Sequence, residues 1–151
     1  MDKEQFKEFC KNDFKSRGFK KVKNMFYLPG QELMCGLCLQ KSNYGPIYYV
    51  NYYYFIGDFR NTNKYPTQYE FDIYGRIYVM SKRMEKGTYS MTAMIEYGDY
   101  TEEDLKPYFD KAFEEILMPP LHFGKKYILD NLGKKYRLSL RQEEVMQKLQ
   151  S

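Results

Sequence analysis

In residues 2–17 the apolar side chains Phe6, Phe9, Cys10 and Phe14 recur three or four positions apart, with lysines and glutamates between them. That period lays one apolar stripe along an α-helix. Asp2 suits its N-cap, and Gly18 stands where helices often end in a left-handed residue. The period then falls to two. Residues 19–28 read as a basic strand and residues 32–42 as a second, separated by the turn signal Pro29-Gly30. After a second turn at Asn43-Tyr44-Gly45-Pro46, residues 47–56 form the densest β-forming run in the chain. Alternation puts Ile47, Tyr49, Asn51, Tyr53 and Phe55 on one face and Tyr48, Val50, Tyr52, Tyr54 and Ile56 on the other. Both faces are largely apolar or aromatic, so this strand is expected at the centre of a sheet with cover on each side. An edge of that composition would invite aggregation.

Residues 57–66 read as a loop. In residues 68–74, Tyr69, Phe71 and Ile73 are expected inward and Gln68, Glu70 and Asp72 outward. Gly75-Arg76 reads as a turn or a bulge, residues 77–80 as strand and residues 81–87 as a connecting loop. Alternation of Tyr89, Met91, Ala93, Ile95 and Tyr97 predicts a further strand, although its methionines also permit helix. Leu105, Tyr108, Phe109, Ala112, Phe113, Ile116 and Leu117 then carry the strongest helical period. Asp104 is expected to cap that helix, with Pro107 in its first turn and Pro119-Pro120 as its stop. A short helix over residues 124–132, ended by Gly133, and a last one over residues 139–150 follow, with Ser139 and Gln142 spaced as a capping box.

The order predicts an α+β fold: an N-terminal helix, a five- to six-stranded antiparallel meander sheet, and two to three C-terminal helices packed on one face. A length of 151 residues fits one domain. Residues 1–151 are therefore read as a single α+β domain, with 119–151 a basic helical C-terminal extension.

Composition changes the picture in three places. Seventeen tyrosines and eleven phenylalanines, without tryptophan, supply rings for half-buried positions and contact surfaces. The net charge of +4 is milder than a dedicated nucleic-acid binder usually carries. The three cysteines, with no leader-like apolar run and no stretch of membrane-spanning length, predict reduced thiols and a cytoplasmic location, with no membrane contact.

Recognisable reaction chemistry is sparse. Cys35-Gly36-Leu37-Cys38 is a CxxC, but its flanks read as strand, and residues three apart on a strand point to opposite faces. Both thiols are therefore expected as small buried side chains, not as a redox pair or half a zinc site. His122, the only histidine, follows Pro119-Pro120-Leu121 in an expected loop, and no GxSxG nucleophile motif accompanies it. No P-loop or GxGxxG cradle occurs. The acidic pairs Glu102-Glu103, Glu114-Glu115 and Glu143-Glu144 read as solvated helix faces, and Glu70 with Asp72 as the outer face of a strand. No catalytic residue, metal ligand or cofactor is assigned.

Short motifs from Gly18 to Asn51 point to a family. GFKK, MFYLPG, LQKSNYG and YYVN resemble the bacterial domain-of-unknown-function family 4304 through Gly18, Phe19, Lys20, Lys21, Asn24, Phe26, Tyr27, Gln40, Lys41, Ser42, Gly45, Tyr48 and Asn51. Pro107-Tyr108-Phe109-Asp110 matches the proline and aromatics of the family's late helix. Leu28 stands where a basic residue is usual, and residues 52–55 are more aromatic than the pattern. The resemblance spans residues 2–117. It implies a small cytoplasmic α+β domain, a hairpin after the first helix, no enzyme mechanism and, through some relatives, an immunity- or antitoxin-like role.

Three functional expectations follow. The first is a non-catalytic protein-binding domain with a protein partner, using the Tyr-rich sheet face and adjoining turn: Gln40, Ser42, Tyr44, Tyr49, Asn51 and Tyr53. Tyrosine hydroxyls and amides supply large contact area and adaptable hydrogen bonds. The second is nucleic-acid binding by the basic tail, through Lys125, Lys126, Lys134, Lys135, Arg137 and Arg141. The third is a small-molecule enzyme with Asn51 and tyrosines lining a cleft.

Overall fold

A capping box opens the first helix. Asp2 accepts from the Gln5 backbone N–H at 2.8 Å, and the Gln5 side chain accepts from Asp2 N–H at 2.9 Å. The computed structural model describes residues 1–151. Helix α1 runs Lys3–Ser16, and Gly18 follows at φ 98°. The basic segment after it is two strands, β1 Lys20–Val22 and β2 Met25–Pro29, folded back through Lys23 at φ 57°. The single strand expected over residues 19–28 is thus a hairpin, as the family resemblance implied. Strands β3 Leu33–Lys41 and β4 Ile47–Ile56 extend the meander, and β5 Ile73–Arg76 pairs with β4.

Next come β6 Val79–Met80, β7 Met91–Thr92 and β8 Ile95–Glu96. Helix α2 covers Glu102–Ala112, α3 Pro119–Phe123 and α4 Lys125–Asp130, followed by β9 Arg137–Leu138 and α5 Gln142–Gln150. The main sheet is antiparallel with order β1-β2-β3-β4-β5-β9, and β8 pairs with the start of β4. β6 and β7 pair separately. The architecture is α+β with helices on one face.

Both faces of β4 are covered. On one, Leu33, Cys35, Leu37, Val50, Tyr52 and Tyr54 pack against Phe6 and Phe14 of α1, Leu105 and Phe109 of α2, and Val145 and Leu149 of α5. On the other, Met25, Tyr27, Met34, Cys38, Tyr53 and Phe55 pack under Phe59, Tyr65 and Phe71 of the long connection between β4 and β5. The Tyr27 hydroxyl pins that connection by donating to the Pro66 carbonyl at 2.5 Å. Residues 119–151 share the main core through Ile128, Tyr136, Val145 and Leu149, and they contribute β9 to the sheet.

Pro119 and Pro120 shape the turn that ends the long helix. Neither has an N–H, so the carbonyls of Glu115 and Ile116, four residues earlier, lose their helical donors. Tyr54 and Tyr136 hydroxyls donate to Ile116 O at 2.9 and 2.7 Å, and Lys135 Nζ reaches Glu115 O at 3.3 Å. The helix widens to a π-turn over Phe113–Leu117. The prolines then open α3 at its first positions, where a missing N–H costs nothing.

Other expectations are corrected. Residues 68–70 form a 3-10 turn, closed by Thr67 N–H donating to Glu70 Oε2 at 2.6 Å. Tyr69 consequently points out, 83% exposed, while Asp72 is buried at 2%. Glu70 and Asp72 therefore share no solvent face. Gly75 neither turns nor bulges; it sits within β5 opposite Tyr52, whose ring occupies the space of a Cβ there. The strand expected over residues 89–97 is two short pieces, broken at Ala93-Met94, because β7 pairs with β6 and β8 with β4. Thr101 caps α2 and Asp104 is the third residue of its capping box, which moves Pro107 past the first turn. Ser139 makes no box with Gln142. Its hydroxyl accepts from Arg141 N–H at 3.3 Å and its own N–H donates to Asp72 O at 2.9 Å, so α5 starts at Gln142.

Candidate functional site

The strand register brings four of the chain's polar and aromatic side chains together. Gln40 on β3 lies opposite Tyr49 on β4, and Asn51 lies opposite Arg76 on β5. Opposed residues of an antiparallel ladder share a face. Asn51 Nδ2–H donates to Gln40 Oε1 at 2.8 Å, and Arg76 Nε–H donates to Asn51 Oδ1 at 3.1 Å. Arg76 Nη2 also donates to Gln40 Oε1 at 3.4 Å, and the guanidinium carbon lies 3.9 Å from the Tyr49 ring centroid. Asn51 is 3% exposed and uses both ends of its amide inside the sheet. It is a positioning residue that sets the guanidinium.

The other members of the expected site separate. Ser42 is buried, its N–H donates to Ile47 O, and its hydroxyl accepts from Tyr44 N–H, so it fastens the turn. Tyr44, 94% exposed, projects from that turn. Tyr53 lies in the second core beside Phe71 and Tyr74, and burial pushes its phenol up to about 12.

The tail cations also divide. Lys125 donates to Ser151 O at 2.7 Å, and Lys135 is held between Tyr127 and Glu115. Arg141 bonds Phe71 O at 2.9 Å and pairs with Glu144. Lys126, Lys134 and Arg137 are exposed and make no ion pair. Arg137 is placed by β9 directly opposite Tyr74.

Burial raises all three thiol pKa values, and Cys35 and Cys38 lie in the two different cores on opposite faces of β3. No three His, Cys, Asp or Glu side chains come together as metal ligands.

A second surface was not legible in the sequence. Six of the ten large apolar side chains left exposed are Tyr78, Met80, Met84, Tyr89, Met91 and Met94, all in or beside the β6–β7 hairpin. Alternation explains the first two: Ile77 and Val79 are buried, so Tyr78 and Met80 face out. Met80 and Tyr89 also line a groove of about 420 Å³ against Asp104 and Tyr108 of α2. The hairpin's base is fastened by Arg83 to Glu96 and Asp99, and by Lys82 to Asp104 at 3.2 Å. Alternation in the strand expected over residues 77–80 already sets Tyr78 and Met80 opposite Ile77 and Val79, but only the pairing of β6 with β7 brings the later methionines beside them.

No helix is long and apolar enough to cross a membrane. A family model described as a domain of unknown function, DUF4304, matches residues 10–121. No curated protein and no solved structure matches the chain.

Proposed function

The chain belongs to the DUF4304 family, and from that premise we propose that it is a non-catalytic protein-recognition domain of immunity or antitoxin type that binds its partner through the β6–β7 hairpin. One observation carries the reading: exposed methionine and tyrosine side chains are concentrated on that hairpin and the groove beneath it. Scattered apolar side chains on a surface are ordinary, whereas a contiguous group marks a contact site. Methionine is unbranched and polarisable, so it adapts to a partner, and tyrosine adds area with a polar tip. The Lys82–Asp104 pair ties the hairpin's base to α2, and Arg83 ties it to Glu96 and Asp99 just before that helix, which limits the ordering cost of binding.

Photo-crosslinking in cells tests the reading. A benzoylphenylalanine at Tyr89 should give one discrete heavier adduct, identifiable by mass spectrometry. The same probe at Phe123, exposed near the other end of β4, should not. Met84→Ser with Met91→Ser should remove the adduct while leaving the melting curve intact. Equal adducts from both positions, or none from Tyr89, would refute the hairpin as the contact surface.

A further inference from the structure

Arg76 differs from Arg17, the chain's other half-buried arginine. Arg17 is held by Asp13 and Asp110, and Lys148 by Asp72. No ion pair involves Arg76. Its partners are the neutral amides of Asn51 and Gln40, the ring of Tyr49 and, at 6.0 Å, the ring of Tyr74. Those contacts occupy the Nε–Nη2 side of the fork and one ring face, and Nη1 donates to nothing. A guanidinium presents five N–H donors in a rigid plane, so its end remains available and already oriented.

The surroundings say what could use it. Arg137 lies opposite Tyr74, two residues before Arg76 on β5. It is therefore a diagonal neighbour on the same face, about 7–8 Å away along the sheet. Arg137 also makes no ion pair. Arg76 is half-buried at the end of β5, and the exposed Tyr78 follows two residues later. β9 pairs only with Ile73 and Tyr74, which leaves Gly75 and Arg76 without a strand on that side.

We propose that Arg76, with Arg137 beside it, seats a carboxylate side chain of an acidic partner segment. This rests on the protein-recognition reading and adds the partner's chemistry. The end of a fixed guanidinium offers two parallel N–H groups, which match the two oxygens of a carboxylate. Phosphate sites commonly add backbone N–H groups from a helix N-terminus or a nest. Here the neighbours are amides and rings on a sheet face. A fixed cation that needs no rearrangement also gives specificity against partners lacking the acid.

The test follows the Arg76 Nε–H resonance by NMR during titration with a hexaglutamate peptide at low ionic strength. The resonance should move saturably and further than those of Arg60 and Arg83, which already have carboxylates. Arg76→Gln should weaken binding about tenfold, the size of one charge-assisted pair. Arg76→Lys, which keeps the charge and is the safer variant for folding, should also weaken it, because the fork is lost. Equal movement of Arg60 and Arg83, or no movement of Arg76, overturns the proposal. So does tighter binding of inorganic phosphate or an oligothymidylate than of hexaglutamate. The two readings fail separately. A Tyr89 cross-link without hexaglutamate binding removes only the carboxylate seat. Hexaglutamate binding without the cross-link leaves Arg76 as an anion site and removes the hairpin as the contact surface.

Discussion

Lys148 of α5 places its ammonium 2.9 Å from the buried carboxylate of Asp72, just before β5. The other carboxylate oxygen accepts from Ile56 N–H at 2.8 Å, and Arg141 lies 3.6 Å away. The main chain of Asp72 donates to Tyr54 O and accepts from Ser139 N–H. One residue thus ties β4, β5 and the C-terminal helix together. Removing the carboxylate leaves the Ile56 N–H without its acceptor and two half-exposed cations without their partner, so Asp72→Ala should cost about 2–3 kcal/mol. Lys148→Met should cost less, about 1–2 kcal/mol, because Arg141 and the Ile56 N–H remain. Urea midpoints measure both. Losses below about 0.5 kcal/mol in each would contradict the role.

Gly75 and Tyr52 form a second fixed relationship. The Tyr52 ring fills the position a Cβ at 75 would take. Gly75→Ala should cost about 1–3 kcal/mol through overpacking. Adding Tyr52→Leu should return part of that loss, a non-additivity expected only of residues in contact. Additive losses in urea denaturation would argue against the contact.

Alkali should unfold the protein earlier than its other charges suggest. Burial pushes the phenols of Tyr52 and Tyr53 up to about 12. The fold favours their neutral forms. Their contribution is therefore complete below about pH 10, where the unfolded phenol titrates, and is lost as pH rises from about 10 towards 12. Urea midpoints should fall across that window, and the fall should be smaller in the Tyr52→Phe, Tyr53→Phe double variant. An unchanged slope in the variant would assign the loss to other groups.

The three thiols should be slow. Cys10, Cys35 and Cys38 are buried, and desolvation holds each as the unreactive thiol. Ellman's reagent should label them sluggishly in the native protein and all three promptly in denaturant. Mild oxidation should give no Cys35–Cys38 disulfide, because the side chains lie on opposite sheet faces. Fast native labelling, or that disulfide in a chain with an unchanged circular dichroism spectrum, would contradict the geometry.

Much of the fold was legible wherever one period ran unbroken. α1, β3, β4 and the long helix follow from their apolar spacing, and the opposite faces of Cys35 and Cys38 follow from the pleat alone. Legibility failed where a short polar hydrogen bond outweighed alternation. The Thr67–Glu70 closure turned Tyr69 outward and left Asp72 inside, against the pattern of both. Of the expected site, Gln40, Tyr49 and Asn51 do converge. Their fourth member, Arg76, was hidden because Gly75 resembled a turn.

By itself the sequence determined the α+β class, the central place of residues 47–56, the two-sided cover of that strand and the family. These depend on local period and on the apolar area each segment must hide, which the residues carry with them. Only the tertiary structure decided that Asn51 is tied to Gln40 and Arg76, that Asp72 is a buried junction, and that the exposed tyrosines and methionines gather on the β6–β7 hairpin. Those depend on which strands pair and in what register, through contacts between residues far apart in the chain. Alternation within a segment can show which side chains share a face, but not which partner meets them there.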